Sequence, residues 1–285
     1  MTAKDLLRLA GLVFVSVSLI VVGDTCGKLL GQHGVDPAFI AFFRFLIGAA
    51  VILPISGLRL PELTAFLDWR ILLRGALITG GILSILTALK TEPIADVFGA
   101  FFIGPVVAYV LAILLLNERP TLGRSLFLAV GFAGVMLVVK PGFGMRPGIG
   151  FALLAGTFYG CFLVATRLVA NAARPRILLL SQLVVGSVLL APLGLSVPMP
   201  ESSVLLITLV LGSALGSAAG NYLLVVANRR AEASLIAPLI YTQLISATLA
   251  SLWIFQDTPD LFALCGLILI LCSGAGSLWL ARRTD

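Results

Sequence analysis

The chain is a succession of ten long apolar runs, and nearly all of its charge falls in the short segments between them. The runs cover residues 9–22 (continuing to 30), 39–55, 71–89, 97–116, 122–139, 149–169, 177–195, 204–227, 233–255 and 261–280. Each approaches the ~20 apolar residues that cross a bilayer. They are unbroken rather than alternating, and a lipid-facing backbone must satisfy its own hydrogen bonds, so the runs read as helices. Composition agrees: 60% of the residues are hydrophobic and 11% are charged, where a soluble chain carries about a quarter. Mean hydropathy is +1.13. The expected fold is all-α, a polytopic membrane protein of ten transmembrane helices with no soluble domain. Lys4 and Arg8 precede the first run as in a secretory signal, but Asp24 and Lys28 follow it in place of a small-residue cleavage site, so it reads as an uncleaved helix.

Other counts remove function classes. The one histidine, His33, leaves no haem, zinc or multi-histidine centre to build. Cys26, Cys161, Cys265 and Cys272 lie in apolar runs without metal-ligand spacing. No metal or other cofactor is expected. The net charge of +6 is spread one to three residues at a time between the runs, which is a topology signal and not a nucleic-acid surface.

That signal orients the chain. With the N-terminus inside, the inner segments hold Lys4 and Arg8; Arg59, Arg70 and Arg74; Arg119 and Arg124; Arg167, Arg174 and Arg176; Arg229 and Arg230; Arg282 and Arg283. The outer ends hold only Lys28, Lys90, Lys140 and Arg146, and Arg44 falls inside the second run. Cytoplasmic loops carry the positive excess, so both termini are expected in the cytoplasm, and the protein in the cell (inner) membrane.

The two halves resemble one another at a shift of 139 residues: Gly81 falls on Gly220, Ala88 on Ala227, Leu122 on Leu261 and Leu128 on Leu267. Asn117-Glu118-Arg119-Pro120 falls on Gln256-Asp257-Thr258-Pro259, so an amide, an acid and a proline recur between runs. In each half the acid is expected to cap the last helix of the repeat. Residues 1–143 and 144–285 are therefore expected to form two five-helix repeats. Five is odd, so the second is inverted, a construction used by secondary transporters.

The stretch from Ala88-Leu89-Lys90 to Pro120, with Pro105 inside it and the Asn-Glu-Arg-Pro ending, resembles the drug/metabolite transporter superfamily, and within it the EamA-type exporters. The fourth helix of that family typically ends in Gly-Glu-Arg; Asn117-Glu118-Arg119 departs at the glycine, and Gln256-Asp257-Thr258 departs further. The resemblance covers the whole chain and implies metabolite or amino-acid export through a cavity between the halves. Bacterial aromatic amino-acid exporters are one similar branch.

Charges inside the hydrocarbon cost at least ~2.5–3.5 kcal/mol each and mark function or pairing. Asp24, Lys28 and Arg44 qualify. Asp24 and Arg44 each lie about 10 Å below the same surface at ~1.5 Å per residue, and Asp24 and Lys28 are spaced i,i+4. These three are expected either to neutralise one another or to meet a substrate's charged groups, with Asp24 the candidate for proton coupling. Ser213, Ser217 and Asn221 form one stripe in the eighth helix, with Gly212, Gly216 and Gly220 beside it. Tyr159, Ser84, Ser217, Asn221, Tyr241 and Gln243 are the expected substrate-binding residues, because buried amides and phenols need partners or a polar cavity. Small residues at this spacing also let helices approach closely. Pro105 and Pro238, with Gly99 and Gly104, are expected to bend the fourth and ninth helices.

The expected function is a secondary transporter exporting amino acids, with aromatic ones among the candidates, or related small metabolites by alternating access. The alternative within the fold is a broad-specificity drug carrier or a nucleotide-sugar or sugar-phosphate transporter, which would place more Lys/Arg in the cavity. A membrane-embedded enzyme lacks its paired acids or Ser–His set here. The partners are a small-molecule substrate and the lipid bilayer, with no nucleic acid, and the protein is a monomer or homodimer.

Overall fold

The computed structural model describes residues 3–117, 122–140, 145–169, 172–198, 203–228 and 239–284. It is helical throughout these residues. The helices are α1 (Ala3–Gln32), α2 (Pro37–Ser56), α3 (Trp69–Thr91), α4 (Ile94–Leu116), α5 (Leu122–Val139), α6 (Pro147–Leu168), α7 (Pro175–Ser196), α8 (Val204–Asn228), α9 (Gln243–Ile254) and α10 (Leu261–Thr284). Seven are long and apolar enough to cross a membrane, and Ser125–Val139, Gln243–Ile254 and Leu261–Gly276 are shorter apolar helices. Leu60–Leu67 adds a 3-10 turn between α2 and α3 that the apolar pattern does not announce.

Local chemistry sets the helix ends. Asp36 and Asp68 cap α2 and α3 by accepting from the backbone N–H groups of Ala38 and Arg70. Proline opens α2, α6 and α7, where its missing N–H costs nothing. Asn117 and Gln256 end their segments with φ of 54° and 56°. They are 139 residues apart, so the recurring amide marks the same left-handed stop in both halves. The recurring acid acts differently from expectation: Asp257 reaches toward Lys28, and the cap of α10 is Asp260, which accepts from the Ala263 N–H. Asp260 directly precedes Leu261, whereas Asp257 stands a turn too early to reach the first free N–H groups. Glu118 lies outside the described residues.

The helices alternate in direction. The ends of α1, α3 and α9 meet the starts of α4, α6 and α10 around one cavity, on what we call the Lys140 face. On the opposite, Arg174 face, Arg174 and Arg176 at the start of α7 bond the carbonyls of Gly57 and Ile55 at the end of α2, and Arg174 also pairs with Glu62.

The packing obeys a two-fold relation. α1 lies along α8 as α6 lies along α3, while α2 meets α7, α5 meets α10, and α4 meets α9. Residues 139 apart make equivalent contacts. A Cβ on Gly220 would stand 2.6 Å from the Ser16 carbonyl oxygen, and one on Gly81 would stand 3.6 Å from that of Ala155. Ser273 Oγ donates to the Phe127 carbonyl, and Gly266 packs against the carbonyl of Gly134. The glycines of α8 thus serve close approach: Gly212 meets Cys26, and Gly216 meets Gly23 and Leu19. Large apolar side chains such as Phe14, Val22, Leu53, Leu114, Val188 and Leu211 face outward, as a lipid-facing surface requires. Trp69, Trp253 and Trp279 are exposed near helix ends.

Candidate functional site

α4 breaks in the middle of its span, into Ile94–Phe101 and Ile103–Leu116. The cause is Pro105, which has no N–H to offer the Phe101 carbonyl. α9 has its own interruption at Tyr241 and Thr242, before the regular helix begins at Gln243. Phe102 and Tyr241 are 139 residues apart, and their rings stack at 4.8 Å with planes 19° from parallel. Two copies of one position touch only on the axis that relates them, so the pseudo-two-fold axis passes between these rings. Pro238 lies outside the described residues. Gly99 packs against Val138 and Gly104 against Gly156, which brings the broken helix close to its neighbours.

Rings continue outward from the axis. Phe101 lies 5.0 Å from Tyr159, Tyr159 lies 6.0 Å from Phe162, and the Arg74 guanidinium lies over Phe162 at 4.6 Å. This tract runs through α4, α6 and α3 from mid-membrane toward the Arg174 face.

Two buried arginines clamp equivalent helix trios. Arg44 on α2 donates to Asp24 Oδ1 at 2.5 Å, to the Gly23 carbonyl and to Ser213 Oγ, joining α1, α2 and α8. Its side chain and that of Asp24 are 2% and 3% exposed, so the pair is satisfied by its own members and not turned toward a cavity. Arg74 on α3 donates to Thr166 Oγ1, the Leu178 carbonyl and Gln182 Oε1, each at 2.8 Å, joining α6, α7 and α3. Arg74 is the 139-residue counterpart of Ser213, and Thr166 that of Gly27 beside Arg44. The difference is the acid: Leu163 stands where the first clamp has Asp24. The charge census treats Arg74 as a surface positive charge, but it is buried. Its match to Ser213 in the shifted alignment is the signal that places it inside.

Lys28 does not pair with Asp24. It donates to the Glu92 carbonyl at 2.7 Å, lies 3.4 Å from Asp257 Oδ2 and sits over the Phe255 ring. With Lys90, Asp96, Arg146, Ser251, Asp257 and Asp260 it lines a cavity of about 500 Å³ on the Lys140 face. Lys140 pairs with Asp260, and Arg146 stands 3.6 Å from Glu92 and 3.7 Å from Asp96. Glu92 also accepts from the Gly148 N–H at the start of α6. The apolar runs hide Glu92 and Asp96, because both fall at a connection and read as surface charge.

The remaining expected site residues lie on three helices: Ser84 on α3, Ser217 and Asn221 on α8, and Gln243 at the start of α9. Ser84, Ser217 and Gln243 are buried. Asn221 Nδ2 donates to the Ser217 carbonyl of its own helix. Ser18 and Ser246 bond each other at 2.8 Å and join α1 to α9. Among the described residues no group of three His, Cys, Asp or Glu side chains is placed to hold a metal ion.

The sequence matches the EamA-like transporter family model twice, over residues 8–140 and 146–279. Proteins named S-adenosylmethionine uptake transporter are similar along nearly the full length. That of Rickettsia prowazekii is 27% identical over 278 residues, and those of Rickettsia conorii and Rickettsia felis are 28% identical over 270 and 273. Each alignment covers 92% of this chain and 90% of the relative. A solved crystal structure superposes with a TM-score of 0.68 over 96% of this chain and 99% of its own, at 18% identity. With both five-helix halves matched by the same family model, this multi-pass membrane protein belongs to the EamA-like transporter family.

Proposed function

We propose that the protein is a secondary transporter of the inner membrane that carries S-adenosylmethionine, or a close amino-acid-headed relative, by alternating access between its two faces. The observation that carries this reading is the aromatic tract from Phe102 and Tyr241 on the two-fold axis, through Phe101, Tyr159 and Phe162, to Arg74. Adenine stacks on aromatic faces, and the sulfonium cation is attracted to them. The carboxylate at the other end of such a molecule meets Arg74, a buried guanidinium whose hydrogen-bond partners are all neutral and whose fork suits bidentate binding. The name carried by the similar Rickettsia proteins supports this cargo and an inward direction, in place of the amino-acid export expected from sequence. The positive-charge census assigns the Arg174 face to the cytoplasm and the Lys140 cavity to the outside. A zwitterionic head entering there meets a lining of both signs, with Lys28, Lys90 and Arg146 against Asp96, Asp257 and Asp260.

The test is uptake of labelled S-adenosylmethionine into proteoliposomes, with S-adenosylhomocysteine, methionine and phenylalanine as competitors. Saturable uptake, strongest competition from S-adenosylhomocysteine and a large loss in Arg74→Lys support the reading. Absence of S-adenosylmethionine flux alongside phenylalanine flux returns the protein to the amino-acid carriers.

A further inference from the structure

Four buried side-chain oxygens lack a hydrogen-bond partner among the described residues: Thr25 Oγ1, Glu92 Oε2, Asp96 Oδ1 and Ser251 Oγ. Asp96 and Ser251 line the cavity on the Lys140 face, and Glu92 precedes Asp96 by four residues at the head of α4. Ser251 is 0% exposed, yet its hydroxyl is unused.

The described charges facing this spot come from several elements. From α1, Lys28 is held by Asp257 and the Glu92 carbonyl. From the end of α5, Lys140 is held by Asp260 at the head of α10. Lys90 at the end of α3 is exposed at the rim. Among the described residues, Arg146, ahead of α6, is the cation placed within 4 Å of two carboxylates, at 3.6 Å from Glu92 and 3.7 Å from Asp96. Its own side chain is 58% exposed, whereas those of Glu92 and Asp96 are 4% and 16% exposed. A buried acid, Glu92, and a half-buried one, Asp96, thus share one loosely placed guanidinium, and an oxygen of each is left over.

We propose that Glu92, Asp96 and Ser251 bind one monovalent coupling cation, a proton or a sodium ion, that drives transport. The cation enters from the cavity and neutralises the acid pair, and Arg146 is released into the water it already faces. The pair sits at the start of α4, whose break at Phe102 lies on the two-fold axis, so occupancy acts on a helix already built to bend. Asp24, the acid that the sequence favours for coupling, is buried and bonded to Arg44. The proposal rests on the transporter family alone and not on the identity of the cargo.

The test needs no cargo. Proteoliposomes on a solid-supported membrane are given a pH jump or, separately, a sodium jump at constant pH, and the charge displacement is recorded. Wild-type protein is expected to answer one of the two ions. Asp96→Asn and Glu92→Gln are expected to be silent, and Asp96→Glu to restore the response. Ser251→Ala distinguishes the ions: it weakens a sodium response, where the hydroxyl is a ligand, and spares a proton response. Glu62→Gln, on the opposite face, is the control. A wild-type protein silent to both ions overturns the proposal, as does an Asp96→Asn response equal to wild type. Failure of S-adenosylmethionine uptake with a normal ion response removes the cargo and leaves the coupling site standing.

Discussion

Phe102 and Tyr241 stack ring on ring at 4.8 Å although they belong to different halves of the chain, because they are the same position of the two repeats meeting at their symmetry axis. A contact on the axis is shared equally by both halves, and it sits beside the interruptions of α4 and α9, so alternating access requires it to persist. Tyr241→Phe keeps the stack and is expected to retain transport. Tyr241→Ala leaves a void at the axis, costs about 3–5 kcal/mol of stability as large aromatic truncations do, and is expected to lose transport. Initial rates in proteoliposomes, normalised to folded protein, check both.

The two-fold relation also makes unequal demands on paired glycines. A Cβ at Gly220 meets the Ser16 carbonyl at 2.6 Å, but one at Gly81 meets the Ala155 carbonyl at an ordinary 3.6 Å. Gly220→Ala is expected to destabilise by about 1–3 kcal/mol, the usual cost of overpacking, because backbone must move. Gly81→Ala is expected to be near neutral. Thermal unfolding of the two variants in detergent compares them directly, and equal shifts would contradict the packing described for α1 and α8.

Asp24 and Arg44 form a buried clamp, and the proposed coupling role falls to Asp96 and Glu92 instead. Removing one member leaves an uncompensated buried charge, worth about 3–5 kcal/mol. Asp24→Ala is therefore expected to lower the unfolding midpoint sharply, while the protein that remains folded keeps its response to the driving ion. A normal midpoint together with loss of that response would reverse the roles of Asp24 and Asp96.

Much of the architecture was legible in the sequence for a physical reason. A bilayer imposes one length and one polarity on every span, so apolar runs and the positive charges between them carry the helix count. The 139-residue shift carries the equivalence of the two halves, whereas the pairing of α1 with α8 and α3 with α6 is visible only in the structure. What escaped was partner choice. Asp24 and Lys28 at i,i+4 look like a pair, but Arg44 from the next helix takes Asp24 and Lys28 crosses to Asp257. Arg74, Glu92 and Asp96 were hidden because a charge within a turn of a span's end looks like surface charge until the neighbouring helices are in place. Of the expected polar residues, Ser84, Ser217 and Gln243 are buried, and Asn221 bonds the Ser217 carbonyl of its own helix.

Acid weakens the junction of α5 with α10. The Lys140 ammonium, and next the Ala263 N–H, hold the Asp260 carboxyl below its ordinary value. A carboxylate depressed by folding stabilises the fold above its unfolded pKa of about 3.9, and that contribution is lost as pH falls through the lower folded value. Asp260 is largely exposed, so the pair is worth no more than about 1 kcal/mol. Asp260→Asn keeps a good helix cap and removes the charge. Its unfolding midpoint is expected to match wild type near pH 3 and fall slightly below it near neutrality. A constant difference across pH would assign the effect to the cap.

Alternating access about the Phe102–Tyr241 axis requires the two faces to move oppositely, and paired distances read that movement. Spin labels at Lys90 and Gln256 report on the Lys140 cavity, and labels at Arg8 and Asn117 report on the opposite face. Adding S-adenosylmethionine and the driving ion is expected to change the two distances in opposite directions, one face narrowing as the other widens. Two faces that open together, or stay still while cargo crosses, would rule out alternating access about this axis.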